Sequence, residues 1–485
     1  MKAIYKNLAT LAICLAGYAT GYAQVGQPWI HDPSTIAECD GKYYTFGTGG
    51  GGLISEDGYH WHGGGVRPGG GAAPDVIKIG DRYLIIYGAT GGGLGGGHNG
   101  RILTMWNNTL DPTSPKFKYS EPVEVVASDG NEDNDAIDPG FLLDPTTGRL
   151  WFSYGTYFGA IRLAELDPKT GHRVDGNKIK DIGIDCEATD LIYNNGWYYL
   201  LGTHGTCCDG VNSTYNIVCG RSRSVEGPYI DNVGRSMLEG GGKMVINAGD
   251  RKTGPGHFGR TIIDKGVEIM SCHFEADYDM SGRSTLAIRP LLWKNDWPKA
   301  GERFREGTYE IESERRGYAL ELRVDFIRQN VERARHWNID EKEPLKRIPE
   351  QTLAEVIDTW DKGEINVGIG DYMFRPHQKW AITAVDEAGG YLGSPYYKIC
   401  IEGTERALTA TKDCEVTTME TYSGAPEQLW RIEQCIDGTY RIMPKQIPGQ
   451  EEVNKTYVLY SSGDSTPTLA PWDFESDNSK WNLKK

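Results

Sequence analysis

The chain has 485 residues, enough for roughly two or three domains, and it is rich in glycine (63 residues) and tyrosine (27 residues). This composition is typical of a turn-rich β protein and disfavours a helical bundle. The formal net charge of −16 argues against nucleic acid and anionic membrane surfaces as partners, because a duplex binder needs a basic stripe that neutralises phosphates. A neutral sugar polymer is compatible with this charge.

The N-terminal residues 1–23 predict a secretory signal peptide. Two lysines are followed by an apolar run from Leu8 to Ala19, and a small-x-small cleavage site ends at Ala23. The apolar run is short for a bilayer span, and no later segment is expected to cross a membrane. We therefore expect an exported protein, secreted or periplasmic, whose mature chain starts near Gln24.

Export permits disulfide bonds, but the cysteine count does not define a framework of them. Without Cys14 of the signal segment nine cysteines remain, so at least one thiol stays free or pairs with another molecule. Cys207 and Cys208 are adjacent, and the sequence contains no C-x-x-C zinc pattern. We expect mostly buried thiols.

One short pattern occurs five times in the first 300 residues: a glycine turn followed by a run of aromatic and β-branched residues. Each copy resembles the central hairpin of a four-stranded blade, because glycine supplies the positive φ of the turn and the run fills a buried strand. The turns lie at Gly41, Gly80, Gly148, Gly196 and Gly266. An all-β fold is therefore predicted, with a five-bladed β-propeller over residues 24–303 and a β-sandwich as the alternative. A propeller brings one strand end of every blade to a central depression.

Three acids lie at nearly the same offset from these turns. Asp32, Asp138 and Glu187 precede the glycines of the first, third and fourth copies by nine or ten residues. An equal offset in a ring of blades implies an equal radial depth, so all three are predicted to face the central depression. Cleavage of a glycosidic bond needs one carboxylic acid and one carboxylate. The alternative is that these acids cap turns, as Asp-Pro often does.

The motifs around these acids resemble glycoside hydrolase family 43 and, within it, the endo-1,5-α-L-arabinanases. The resemblance covers most of residues 28–300. It is carried by the segments His31-Asp-Pro, Ala73-Pro-Asp, Ala136-Ile-Asp-Pro, Cys186-Glu, Cys207-Cys-Asp-Gly-Val-Asn-Ser-Thr-Tyr and Gly254-Pro-Gly-His. It implies that Asp32 is the general base, that Glu187 is the general acid, and that Asp138 holds Glu187 and raises its pKa. Family members invert configuration, which requires carboxyl groups roughly 6.5–9.5 Å apart.

The resemblance also implies ligand and substrate contacts. His257 matches a histidine that binds a metal ion at the propeller axis with water completing the shell; Ca²⁺ is the expected ion, and no organic cofactor is expected. Substrate contacts are implied for His31, Asp75 and Phe158. Phe158 stands where arabinanases usually have tryptophan, and Ala72 replaces a tryptophan before Ala-Pro-Asp.

Glycine-rich stretches at 48–52 and 91–97 also depart from the arabinanase pattern. These departures leave the mode of cleavage open. The expected activity is endo-cleavage of α-1,5-linked arabinan or a related plant cell-wall polysaccharide. The alternatives are an exo-acting family 43 α-L-arabinofuranosidase, β-xylosidase or galactanase, and an inactive carbohydrate-binding propeller.

A second repeat follows the propeller region. Q-x-W or S-x-W triplets end at Trp380, Trp430 and Trp481, spaced 50 and 51 residues apart. This pattern resembles a ricin-type β-trefoil, in which the tryptophan packs in the core of each lobe, so residues 304–485 are predicted to form a lectin-like β-trefoil domain. Sugar binding by this domain is left open. A charged stretch at about 325–361 predicts a helical insertion within it.

Overall fold

The computed structural model describes residues 24–67, 69–90, 99–130, 134–176, 178–323, 357, 365–372, 376–450, 456–463 and 466–485. The predicted signal peptide, the glycine-rich stretch at 91–97 and nearly all of the charged insertion lie outside these residues. No described helix is long and apolar enough to cross a membrane. The described 3-10 turns are Gly210–Asn212, Met237–Glu239, Tyr278–Met280, Pro376–Gln378, Asp386–Ala388, Pro426–Gln428 and Asp477–Ser479.

Residues 25–300 form five β-sheets, of which the first has five strands and the others four antiparallel strands each. The strands of the first two sheets are β1 (Val25–Gly26), β2 (Ala37–Cys39), β3 (Lys42–Phe46), β4 (Gly51–Ser55), β5 (His60–Val66), β6 (Ala72–Ile79), β7 (Arg82–Thr90), β8 (Arg101–Asn107) and β9 (Val123–Ala127). Those of the other three are β10 (Gly140–Leu143), β11 (Leu150–Tyr154), β12 (Ala160–Leu166), β13 (Lys180–Ile184), β14 (Glu187–Asn194), β15 (Trp197–His204), β16 (Asn216–Ser222), β17 (Lys243–Ile246), β18 (Lys252–Asp264), β19 (Val267–Asp277), β20 (Arg283–Lys294) and β21 (Trp297–Ala300).

The five sheets form a ring because each neighbouring pair shares a hydrophobic core. Successive side chains of a strand point to opposite faces, so along β7 Leu84 packs toward the third sheet and Ile85 toward the first. The ring closes where Trp61 of the first sheet packs with Leu286 of the fifth. The predicted five-bladed propeller is therefore confirmed, with one sheet per blade.

The C-terminal part of the chain forms a second all-β unit. Its strands are β22 (Gly307–Ser313), β23 (Tyr318–Arg323), β24 (Asn366–Asp371), β25 (Lys379–Ala384), β26 (Gly390–Tyr391), β27 (Ser394–Pro395), β28 (Tyr397–Ile401), β29 (Ala407–Ala410), β30 (Val416–Met419), β31 (Trp430–Gln434), β32 (Tyr440–Pro444), β33 (Tyr457–Tyr460), β34 (Thr468–Pro471) and β35 (Trp481–Lys484). Strands β22, β25, β28, β31, β32 and β35 pair in a closed ring. The pairs β23–β24, β29–β30 and β33–β34 form three hairpins. A six-stranded barrel with three hairpins is the arrangement of a β-trefoil.

The three tryptophans of the second repeat lie in the core of this barrel. Trp380, Trp430 and Trp481 are fully buried. Each donates its indole N–H over 2.9–3.0 Å to the backbone carbonyl of a leucine in a hairpin strand: Leu320, Leu408 and Leu459 in turn. The three lobes therefore repeat one contact, and these indoles hold the hairpins to the barrel. The kinship with ricin-type lectins stays a prediction.

The trefoil docks on the fifth blade at the turn between β18 and β19. Ile436 accepts a backbone hydrogen bond from Trp293 and donates one to Gly266, at 2.8 and 2.9 Å. Nearby, the buried guanidinium of Arg441 pairs with Asp264 at 2.7 Å. These contacts attach the second domain to the fifth blade, and Gly393 adds a backbone hydrogen bond to Gly58 of the first blade.

Candidate active site

The first strands of the blades line the propeller axis, β2 being the equivalent strand in the first blade. Strand β6 contacts β2 and β10, and β14 contacts β10 and β18. Within or shortly before each of these strands, one residue has a left-handed backbone although it is not glycine, with φ between 41° and 58°: Asp32, Ala73, Asp138, Ala188 and His257. Such a conformation costs about 1–3 kcal/mol, so the surrounding fold must impose it. The five positions are equivalent around the ring.

Two of the predicted acids occupy such a position, and the third precedes one. Asp32 and Asp138 are left-handed themselves, whereas Glu187 stands one residue before Ala188. The three acids lie close to one another: the backbone N–H of Ala188, the residue after Glu187, donates to Asp138, and burial followed by the charges of Glu187 and Asp32 raises the pKa of Asp138. The structure thus brings together the three acids that the sequence offsets placed at one depth. Their catalytic roles stay predictions.

Asp32 is held as a carboxylate. Its Oδ2 accepts a hydrogen bond from the Thr48 hydroxyl at 2.6 Å and lies 2.8 Å from Nδ1 of His31. Burial alone would raise the pKa of Asp32, but the hydrogen bond and charge of His31 outweigh it and hold that pKa well below its usual range. Asp32 is thus ionised at the pH where a base is needed.

Glu187 keeps its proton to a higher pH than an ordinary glutamate does. Its side chain is buried, and its Oε1 accepts a hydrogen bond from the Tyr215 hydroxyl. Burial raises the pKa of Glu187 to about 7; the Tyr215 hydrogen bond lowers it and the negative charge of Asp32 raises it. A carboxyl that keeps its proton near neutral pH is suited to protonate a leaving group.

Asp138 lies near Glu187 and interacts with it electrostatically. The backbone N–H of Ala188 donates to Asp138 Oδ2 at 3.3 Å, which links the third blade to the residue after Glu187. Burial, followed by the charges of Glu187 and Asp32, raises the pKa of Asp138 well above its ordinary value.

One structural observation is compatible with His257 as a metal ligand: one of its ring nitrogens is buried and, within the described part of the chain, unpaired. Its ring is buried, and Nδ1 has no hydrogen-bond partner among the described residues. A buried unpaired nitrogen calls for a ligand or a water molecule. Burial lowers the pKa of His257 to about 4, so the ring is neutral and able to donate a lone pair near neutral pH. A single imidazole with water molecules is a compatible though sparse donor set.

Asp75 differs from the other acids in its position relative to the left-handed residue of its blade. It stands two residues after the left-handed Ala73 and is 4% exposed. Its two carboxylate oxygens accept backbone N–H groups of Thr35 and Phe141, at 3.0 and 2.9 Å. Asp75 thus ties the first and third blades to the second, and its predicted substrate contact stays a prediction.

Phe158 is accessible, as a substrate-contacting aromatic residue must be. Its side chain is 44% exposed, and its ring centroid lies 4.4 Å from that of Tyr157. Burial and then the charges of Glu187 and Asp138 raise the pKa of the Tyr157 phenol. The aromatic pair therefore borders the acids, where a sugar ring could stack.

Most of the described cysteines are buried free thiols, as expected, but one pair is joined in a disulfide. Cys207 and Cys208 form a disulfide in the partly exposed loop after β15. The sulfur atoms lie within 4.8 Å of a ring nitrogen of His31 and a carboxylate oxygen of Glu275. The seven other described cysteines are free, and six of them are buried.

Three residues of the site were not singled out from the sequence: Thr48, Tyr215 and Glu275. Tyr215 closes the Cys207–Tyr215 segment, so its proximity to the site could have been suspected from that motif. Thr48 sits in a glycine-rich stretch and Glu275 in the middle of a buried strand, where no local pattern marks either residue.

A five-bladed propeller with interacting carboxyls at its axis is the architecture of a glycoside hydrolase. The chain belongs to glycosyl hydrolases family 43, whose sequence profile matches residues 53–298. Asp138 and Glu187 lie within the matched stretch, and Asp32 lies before it.

Three similar proteins illustrate the relationship. The chain is 32% identical over 230 residues to extracellular endo-alpha-(1->5)-L-arabinanase 1 of Bacillus subtilis, covering 47% of this chain and 67% of that protein. It is 29% identical to an extracellular exo-alpha-(1->5)-L-arabinofuranosidase of Cellvibrio japonicus, covering 61% of this chain and 92% of that protein. Among solved structures, an exo-1,5-alpha-L-arabinanase from a bovine ruminal metagenomic library superposes with a TM-score of 0.53 at 30% identity, covering 58% of this chain and all of that one.

Proposed function

We propose that this protein hydrolyses α-1,5-linked L-arabinan with inversion of configuration at the cleaved sugar. The observation that carries the proposal is that two neighbouring carboxyls have opposite environments: His31 and Thr48 hold Asp32 in its ionised form, whereas burial raises the pKa of Glu187 to about 7. When the environments of two carboxyl groups make their pKa values differ in this way, one group can act as a base and the other as an acid. The arabinan-acting relatives supply the substrate class.

Each acid has one task in this reaction. Asp32 takes a proton from a water molecule that attacks the anomeric carbon, and Glu187 gives its proton to the departing glycosidic oxygen. Asp138 restrains the backbone at Ala188, next to Glu187, and modulates the pKa of that acid. Tyr157 and Phe158 offer a stacking surface beside the acids.

Endo-action on the chain interior is the first candidate, and exo-action from a chain end is the second. The exo-acting relatives, at 29% and 30% identity, favour the second. Linear arabinan, branched arabinan, xylan and galactan incubated separately with the protein distinguish the possibilities. Short arabino-oligosaccharides at early times mean endo-cleavage, and one steadily accumulating product means exo-cleavage. Absence of new reducing ends from either arabinan would refute the proposal.

Secretion is part of the same proposal. A polymeric plant cell-wall substrate lies outside the producing cell, and two of the relatives are named as extracellular. Detection of the protein in the periplasm or medium, lacking its first 23 or so residues, is the expected result. Retention of the full-length chain in the cytoplasm would contradict it.

We further propose that His257 holds a metal ion, Ca²⁺ being the expected one, through its ring and a shell of water. The ion would supply positive charge near Asp32. Removal of metal with EDTA is expected to lower activity roughly tenfold, and Ca²⁺ should restore it. His257→Ala is expected to have the lowered activity already and to ignore EDTA. A wild-type enzyme that is indifferent to EDTA would show that no ion is used.

Tyr215→Phe is expected to move the basic limb of the kcat/KM profile to higher pH. The donated hydrogen bond favours the ionised form of Glu187 and so lowers its pKa; without it, the pKa rises above about 7 and the acid stays protonated further into the alkaline range. A shift of about one pH unit is expected. Tyr199→Phe, which removes a hydroxyl that donates to the Asp296 backbone carbonyl at the turn between β20 and β21, is the control. A basic limb that stays fixed or moves down would exclude this role for Tyr215.

A further inference from the structure

A chain of three side chains links the fifth blade to Asp32. Glu275 on β19 is buried, and its Oε1 lies 3.0 Å from Nε2 of His31. The other ring nitrogen of His31, Nδ1, lies 2.8 Å from Asp32 Oδ2. An imidazole whose two nitrogens both face carboxylate oxygens must donate through both, and only the imidazolium has two N–H groups. His31 is therefore a cation held between two anions.

The other charged groups near Asp32 do not supply this cation. Burial lowers the pKa of His273, whose ring centroid is 4.4 Å from that of His31, and burial also lowers the pKa of His257. Burial likewise works against a charge on His31, but its hydrogen bonds to Asp32 and Glu275 outweigh it and raise its pKa to about 10. The titratable groups that act on Asp32 or His31 are His257, His273, Glu275, Glu187 and Asp138.

Glu275 is itself fixed by the disulfide loop. The backbone N–H of Cys208 donates to Glu275 Oε1 at 3.1 Å, and Cys208 has a left-handed backbone with φ 61°. The disulfide joins this residue to Cys207 and so restricts the loop that presents the N–H. The Oε1 of Glu275 thus accepts from two donors, the His31 ring and the Cys208 backbone.

We propose that Glu275 is a positioning residue, which holds His31 oriented and charged so that Asp32 remains the ionised base. This inference rests on the proposed function of Asp32. Glu275 acts through His31 and contacts neither water nor sugar in the reaction. Its removal should therefore affect the pH at which the base titrates more than the rate at the pH optimum.

The first test is the kcat/KM profile of Glu275→Gln on arabinan. The amide oxygen still accepts hydrogen bonds from His31 and Cys208, so only the negative charge is lost. The acidic limb is expected to move up by about one pH unit, which is about a tenfold loss below that limb, with little change at the optimum. Glu38→Gln, at an exposed glutamate of β2, removes the same charge and should leave the profile unchanged. An acidic limb that stays in place in Glu275→Gln would overturn the proposal.

A double-mutant comparison distinguishes an effect that passes through His31 from a general defect in folding. His31→Asn keeps an amide donor near Asp32 but carries no charge, so it should move the acidic limb at least as far as Glu275→Gln. In the His31→Asn background, Glu275→Gln should add almost nothing, because its intermediary is gone. A full additional shift would show that Glu275 acts independently of His31.

The ¹⁵N shifts of His31 provide a readout that needs no substrate. In the wild type the ring should remain protonated beyond pH 8, and in Glu275→Gln it should lose its proton at a lower pH. An unchanged titration in the variant would refute the inference. If the wild-type protein titrates as expected and yet cleaves no arabinan, the proposed function fails while the His31–Glu275 pairing stands.

Discussion

Glutamine in place of Glu187 is expected to lower kcat on arabinan about 10³-fold, within the roughly 10²–10⁴-fold that a positioned acid contributes. The amide has nearly the shape of the carboxyl and can still accept the Tyr215 hydrogen bond, but it has no proton to give to the departing oxygen. Initial rates of reducing-sugar release measure the loss, and circular dichroism with thermal unfolding verifies that the fold persists.

The choice of substrate makes this prediction specific. In an aryl arabino-oligosaccharide the leaving group is a phenol. If that phenol is strongly acidic it departs without protonation, so Glu187→Gln should be much less impaired on this substrate than on arabinan. Glu165→Gln, at a buried glutamate of the third blade that pairs with Arg149, is the matched control and should keep near wild-type rates on both substrates. More than a tenth of the wild-type rate on arabinan in Glu187→Gln would overturn the assignment.

Asparagine in place of Asp32 is expected to lower kcat by a similar factor, but on both kinds of substrate. The attacking water must lose a proton whatever the leaving group is, so an activated phenol gives no relief. The amide of the variant still lies near His31 and the Thr48 hydroxyl, which limits the change to the loss of a base. Stopped assays on arabinan and on the aryl substrate measure the two losses side by side.

The contrast between the two variants is the informative result. If Asp32→Asn recovers on the aryl substrate and Glu187→Gln does not, the two roles have been assigned the wrong way round. If neither variant loses activity, the reacting carboxyls lie elsewhere on the chain. Asp264→Asn is a suitable control for Asp32→Asn, since this partly exposed acid pairs with Arg441 at the trefoil junction.

The blades could be predicted from the sequence because their signals are local. A glycine at each turn and a buried run behind it repeat five times, and the same local order carries Asp32, Asp138 and Glu187 to the axis. The offset from the turn was nevertheless only approximate. Glu187 stands one residue before the left-handed position that Asp32 and Asp138 occupy.

Asp75 shows why the same reasoning stops short of individual roles. Ala-Pro-Asp and Asp-Pro look alike as acid-proline motifs, yet in the first the acid stands two residues past the left-handed residue. At that position its carboxylate accepts backbone N–H groups of two other blades, a role that the motif alone does not reveal.

The partners of the acids could not be predicted because they come from distant parts of the chain. His31 and Glu275 are 244 residues apart, and their contact exists only because the fifth blade closes against the first. The tryptophan spacing of the trefoil, by contrast, reports a contact that each lobe makes within itself, so it was visible in the sequence.

A crystal structure of the Asp32→Asn variant with a bound arabino-oligosaccharide tests the central claim most directly. One glycosidic oxygen should lie within hydrogen-bond distance of Glu187, with a water molecule between residue 32 and the anomeric carbon on the opposite face of the sugar. The two carboxyl positions should then be roughly 6.5–9.5 Å apart. A sugar bound away from the axis, or a separation with no room for water, would contradict hydrolysis by these acids.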